Sequence, residues 1–88
     1  MAKIEVEIAD PTPDPGRFRL VWQAGSRIWV INNDEVLAIR ANRPGLISLA
    51  SHLLALAQET IPSGTHLHLD PLNGLEDDSP EITLQVVD

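Results

Sequence analysis

Hydrophobic and polar residues alternate with a period of two over several short segments in the first half of this chain. Residues 3–8 alternate strictly, and β-rich runs follow at residues 17–23, 27–31 and 36–41. This alternation is typical of half-buried strands, because successive side chains of a strand point to opposite faces. Residues 10–16 contain three prolines and a glycine, which predict a loop. The pattern therefore predicts four strands before residue 42.

A different spacing begins at Asn42 and predicts one amphipathic helix. Asn is a favourable N-cap, and a proline such as Pro44 is tolerated in the first helical turn. Apolar residues then recur at steps of three and four, which predicts a buried stripe made of Leu46, Leu49, Ala50, Leu53, Leu56 and Ala57. The side expected to point away from the core carries Ser48, Ser51, Ala55 and Glu59. The helix is predicted to end before Pro62.

Two more alternating segments, residues 65–70 and 81–86, follow the helix and are separated by an acidic loop at residues 71–80. The resulting order, β-β-β-β-α-β-β, indicates an α+β fold with an antiparallel or mixed sheet of five to six strands. The amphipathic helix is expected to cover one face of this sheet and to leave the other to solvent or a partner. With 88 residues, the chain is expected to form a single domain, residues 1–88.

Charge is distributed unevenly along the chain. Six acids balance six bases before Pro44, whereas the rest of the chain holds seven acids and no Lys or Arg, so that the formal net charge is −7. The acidic half would repel nucleic acid and attract a basic protein. The chain starts without the apolar core of a signal peptide, and its longest uncharged stretch is too short for a membrane span. We therefore expect a cytoplasmic protein without a membrane partner.

Two sets of residues are candidates for function. Trp29 sits among aliphatic residues on a predicted strand, and an exposed tryptophan of this kind is a common interface anchor. Packing of Trp29 under the proline-rich loop at residues 10–16 is the alternative. The residues predicted to contact a protein partner are Glu76, Asp77, Asp78, Asp70, Glu81 and Trp29. The alternative is a metal site formed by His66, His68 and Asp70, which share one strand face and offer donors suited to zinc. Two solvent-facing histidines are the simpler interpretation of the same pattern.

Catalytic signatures are missing from the sequence. The chain has no cysteine, and none of its serines lies in the nucleophile motif of serine hydrolases. Its five glycines are isolated, so there is no glycine-rich phosphate loop. The sequence favours a binding protein that uses no cofactor over an enzyme.

From Ala41 to Val86 the small motifs of the chain follow one family pattern. The quoted segments are Asn42-Arg43-Pro44-Gly45-Leu46, Gly64-Thr65-His66-Leu67-His68-Leu69-Asp70 and Ser79-Pro80-Glu81-Ile82. They resemble the Immunity protein 32 family of bacterial polymorphic toxin systems. The resemblance implies an antitoxin role, in which a small cytosolic protein binds a cognate toxin domain stoichiometrically, and a basic toxin would suit the acidic half. A metal-binding protein or small metal-dependent hydrolase, and a homodimer formed through the uncovered sheet face, stay as alternatives.

Overall fold

The computed structural model describes residues 1–8 and 20–88, and in these ranges it contains one helix and four strands. In chain order the elements are β1 (Ile28–Asn32), β2 (Leu37–Ala41), α1 (Arg43–Leu56), β3 (His66–Leu69) and β4 (Ile82–Gln85). β1 pairs antiparallel with β2, and β3 pairs antiparallel with β4, which gives two sheets of two strands each. The predicted α+β class is confirmed. The predicted single sheet of five to six strands is wrong, and the strand order differs accordingly.

Two segments with strand-like patterns do not form strands where the structure describes them. Residues 3–8 alternate strictly, yet they form no strand and Ile4 is largely exposed. An alternating segment still needs a neighbouring strand with which to exchange hydrogen bonds, and alternation alone does not supply one. Residues 20–23 are also not a strand, although Leu20 and Trp22 pack against the core. Residues 9–19, including the predicted loop at 10–16, lie outside the described residues.

The core joins residues of both sheets with residues of α1 and of the segments before β1 and after β3. Its buried centre consists of Ile28, Val30, Leu69 and Leu75. Around this centre pack the partly buried residues Leu20, Trp22, Ala41, Leu49, Ile82 and Leu84. The alternation of β3 is confirmed, since its two leucines are buried and its two histidines are exposed. The core is therefore almost entirely aliphatic, with Trp22 at its border.

Part of the acidic loop lies along the edge of β1. The Glu76 N–H donates to the Ile28 carbonyl at 2.7 Å, and the Val30 N–H donates to Ser79 Oγ at 3.0 Å. These bonds satisfy backbone groups of β1 that do not pair with β2. Residues 76–79 are thus fixed to the strand by one backbone and one side-chain contact.

Asn42 joins the start of α1 to the turn that precedes β1. Its Oδ1 accepts hydrogen bonds from the Gly45 N–H at 2.8 Å and the Arg27 N–H at 3.0 Å. Its Nδ2 donates to the Gly25 carbonyl at 2.8 Å. The predicted N-cap is confirmed, and the same side chain also holds two segments that are distant in the sequence.

The helix turns a different face to the core from the one that its apolar stripe predicts. Its buried residues are Gly45, Ser48, Ser51, His52, Ala55 and Leu56. Of the predicted stripe only Leu56 is buried, whereas Leu46 and Leu53 are 51% and 49% exposed. Ser48, Ser51 and Ala55, which were expected to face away, point inward. The predicted orientation of the helix is therefore wrong.

Close approach between α1 and β1 explains this orientation. A Cβ atom on Gly45 would lie only 2.6 Å from the Arg27 carbonyl oxygen, so a larger side chain on this face would push the helix outward. Ser48 compensates for its burial with two hydrogen bonds, since its hydroxyl donates to the Pro44 carbonyl and accepts from the Gln23 N–H, both at 2.8 Å. Small side chains let the helix approach the strand, so that Leu49 and Leu56 reach the core while Leu46, Leu53 and Leu54 stay outside. No helix in the described ranges is long and apolar enough to cross a bilayer.

Candidate functional site

The acidic loop displays two carboxylates on a fixed backbone. Asp77 and Asp78 are exposed, and they lie between the two anchors on β1 formed by Glu76 and Ser79. Asp78 has a φ of 68°, a left-handed conformation that Asp adopts more readily than most residues. Both ends of this short segment are hydrogen-bonded to β1, so its backbone is already ordered before a partner binds the two carboxylates.

Arg27 connects the acidic loop to Trp29. Its Nε lies 3.4 Å from Glu76 Oε1, and its Cζ lies 4.8 Å from the centre of the Trp29 ring. Trp29 is half-buried on β1, on the side opposite the buried Ile28 and Val30. Two of the predicted contact residues, Glu76 and Trp29, thus both contact the same guanidinium group. No local sequence pattern marks Arg27 as part of this surface, because its contact with Glu76 joins residues 49 positions apart.

The remaining two predicted acids have other local contacts. Asp70 Oδ1 accepts a hydrogen bond from the Leu72 N–H at 2.9 Å and shapes the turn after β3. Glu81 Oε1 lies 2.6 Å from Nδ1 of His68, on the outer side of the β3–β4 sheet. Asp70 therefore has a role in the turn, and Glu81 pairs with a histidine.

The proposed metal ligands do not form a metal site. The rings of His66 and His68 lie edge to face with their centres 4.8 Å apart, and both are exposed as predicted. Nδ1 of His66 is 3.1 Å from the Gly64 carbonyl oxygen, and Nδ1 of His68 faces Glu81. Across residues 1–8 and 20–88 no three His, Cys, Asp or Glu side chains are grouped so that they could hold a metal ion. The arrangement does not fit the metal alternative.

The third histidine, His52, is a buried residue of α1 on the side that faces the core. Its side chain is 1% exposed, and its ring meets the Trp22 ring edge to face with 4.4 Å between the centres. Its Nε2 has no hydrogen-bond partner in the described part of the chain. Burial lowers the pKa of His52 because the charged imidazolium would lose its hydration. This histidine therefore serves as a neutral core residue.

Lowering the pH should destabilise the fold through His52. Its pKa in the folded chain lies below the ordinary value of 6.5, so below that pH the unfolded chain binds more protons than the folded one. The contribution of neutral His52 to the free energy of unfolding is complete above pH 6.5, and it declines as the pH falls toward the pKa of His52 in the folded chain. We expect His52→Leu to reduce the difference in unfolding free energy between pH 7.5 and pH 5.5, measured by urea denaturation. Exposed His66→Gln is the control, and an unchanged pH dependence in His52→Leu would contradict this assignment.

Comparison with known proteins identifies one family. The family model described as Immunity protein 32 matches residues 36–87, which is more than half of the chain. The matched segment contains β2, α1, β3, the acidic loop and β4, whereas Arg27 and Trp29 lie before it. No curated protein and no solved structure matches the chain.

Proposed function

Because the chain belongs to the Immunity protein 32 family, we propose that it neutralises a cognate bacterial toxin by binding the toxin domain stoichiometrically. In this proposal the chain is a small acidic binding protein that acts in the bacterial cytoplasm. It blocks the toxin by occupying its surface and catalyses no reaction. The partner is a protein, and the charge of the chain favours a basic toxin domain over a nucleic acid.

The anchored acidic loop is the observation that carries this proposal. Asp77 and Asp78 are exposed, while the segment that bears them is hydrogen-bonded to Ile28 and Val30 of β1. Charges held in place before binding lose less conformational freedom when the complex forms. They also accelerate the encounter with a surface of opposite charge. These properties suit a protein that must capture its toxin quickly.

We propose that the contact surface is centred on the two exposed aspartates. Arg27 contacts both Glu76 of the loop and Trp29, so Trp29 lies beside the loop. Its ring supplies an aromatic surface that a partner can cover. The full set of proposed contact residues is Glu76, Asp77, Asp78, Asp70, Glu81 and Trp29. Glu76 and Glu81 already face a cation or a histidine, so the two aspartates have the largest expected share of the attraction.

Neutralising the two aspartates should slow association with the toxin. The probe is the toxin domain that this proposal expects in the open reading frame next to the gene for this chain, and the variant is Asp77→Asn with Asp78→Asn. Asparagine keeps the shape of both side chains and tolerates the left-handed conformation at position 78. We expect wild-type protein to bind the toxin domain one to one, and the variant to associate about tenfold more slowly at low salt, with a smaller difference at high salt.

A second pair of acids provides the matched control for this experiment. Asp34→Asn with Glu35→Gln removes the same charge from the exposed turn between β1 and β2. This control should associate nearly as fast as the wild type. Equal association rates for all three proteins at low salt would remove the acidic loop from the contact surface. Failure of the wild type to bind or neutralise the toxin domain would overturn the proposed function, and light scattering on the same samples would detect a homodimer.

A further inference from the structure

Beyond the exposed Arg43 at its start, the outward face of α1 is apolar. Leu46, Leu53 and Leu54 are about half exposed, at 51%, 49% and 49%, and Ala57 directly after the helix is exposed as well. No charged residue occurs between Pro44 and Gln58. The outward face of a surface helix normally carries charged and polar side chains, but here these leucines face out while serines face in. Packing within this chain therefore does not account for the leucines at these outward positions.

The same apolar surface continues from the helix onto the end of β4. A groove of about 490 Å³ lies between Leu53, Leu56 and Ala57 on one side and residues 83–87 on the other, where Leu84, Val86 and Val87 are apolar and Thr83 and Gln85 are polar. Val87 is 78% exposed at this border. Contiguous exposed apolar surface on a small protein indicates an interaction site. We call this surface, formed by the outward leucines of α1 and the groove beside β4, the leucine face.

The charges near the leucine face specify what can occupy it. Glu59 follows Ala57 by two positions and Asp88 follows Val87, so the end of this face beside the groove is acidic, whereas the exposed base Arg43 lies at the opposite end of α1. In a two-fold dimer centred on the groove, each surface meets its own copy, so a second copy would bring the acidic ends Glu59 and Asp88 together. A partner segment that combines apolar side chains with Lys or Arg would instead fill the groove and complement the acids. This charge complementarity favours a basic partner over a second copy of the chain.

We infer that the leucine face is a second contact surface for the toxin domain, which covers it with a segment of apolar and basic side chains. The inference rests on the proposed function and extends it by assigning association and dissociation to two different surfaces. The acidic loop accelerates encounter, whereas burial of the leucines slows dissociation, because buried apolar anchors mainly determine how long a complex lasts. The two surfaces therefore affect different rate constants.

The test replaces single leucines of this face and measures both rate constants. Leu53→Gln and Leu54→Gln remove apolar surface at half-exposed positions, and Leu72→Gln, 98% exposed in the turn after β3, is the matched control. The probe is again the toxin domain that the proposed function expects in the neighbouring open reading frame. We expect each α1 variant to dissociate at least tenfold faster with little change in association, and Leu72→Gln to behave as the wild type. Circular dichroism checks that each variant is folded.

An independent measurement needs no substitution, so it holds even where a variant fails to fold. Amide hydrogen exchange across residues 46–57 should be slower in the wild-type complex than in the free protein. Unchanged dissociation in both leucine variants, or unchanged exchange in α1, would overturn the inference while toxin binding by the wild type keeps the proposed function. A wild-type dimer that Leu53→Gln converts to a monomer would assign the leucine face to a second copy and overturn it too. If the wild type does not bind the toxin domain, both proposals fail.

Discussion

Gly74→Ala is expected to destabilise the protein by roughly 2 to 6 kcal/mol, which combines left-handed backbone strain and overpacking of about 1–3 kcal/mol each. Gly74 has a φ of 94°, a conformation that side-chain-bearing residues rarely adopt. A Cβ atom at this position would also overlap the ring of Trp22. That ring cannot move freely, since it also packs against the hydrophobic core and against buried His52. Small domains have about 5–15 kcal/mol of stability in total, so this variant should be largely unfolded under mild denaturing conditions.

Gly64→Ala separates the two causes. Gly64 has a φ of 91°, almost the same as Gly74, but a Cβ atom there would meet nothing within 4 Å. The alanine at position 64 should therefore cost only the backbone strain, roughly 1–3 kcal/mol. Urea unfolding followed by tryptophan fluorescence gives both values. Equal destabilisation by the two substitutions would contradict the proposed overlap with Trp22.

Asn42→Ala is expected to cost roughly 1–3 kcal/mol, because it removes three hydrogen bonds made by one side chain. The Gly45 N–H loses its cap, and the Arg27 N–H and Gly25 carbonyl lose their partners. Asn42→Asp provides the graded control, since aspartate keeps the acceptor oxygen but cannot donate to the Gly25 carbonyl. We expect the melting temperature of Asn42→Asp to lie between those of the wild type and Asn42→Ala. Equal melting temperatures for Asn42→Ala and the wild type would show that these bonds do not stabilise the helix start.

Local features of this fold were accessible from the sequence. The N-cap at Asn42 and the inward leucines of β3 depend on residues a few positions apart, and both predictions are confirmed. The strand predicted at residues 3–8 is wrong because alternation identifies two faces without identifying a pairing partner. The two separate sheets depend on contacts between distant segments, which no local pattern contains.

The orientation of α1 illustrates the same limit within one element. The periodicity of α1 predicts that Leu46 and Leu53 face the core and that Ser48 faces away. In the structure Ser48 is buried, and the two leucines are about half exposed. The choice depends on the Arg27 carbonyl, which leaves no room for a Cβ atom at position 45, and on the Gln23 N–H, which satisfies buried Ser48. Both partners come from outside the helix. The candidate site shows a similar division, because the exposed acids were predicted from composition whereas the contacts of Arg27 with Glu76 and Trp29 require the fold.

The anchoring of residues 76–79 has a consequence for aggregation. A strand edge with free backbone groups can act as a template that recruits strands from other molecules. The Glu76 N–H and the Ser79 hydroxyl occupy such groups on β1, so the segment that displays Asp77 and Asp78 also shields that edge. Changes at the anchors would therefore alter solubility together with binding, while changes at the two exposed aspartates would leave the shield in place. The proposed contact with the toxin and the protection of this strand edge are thus combined in four consecutive residues.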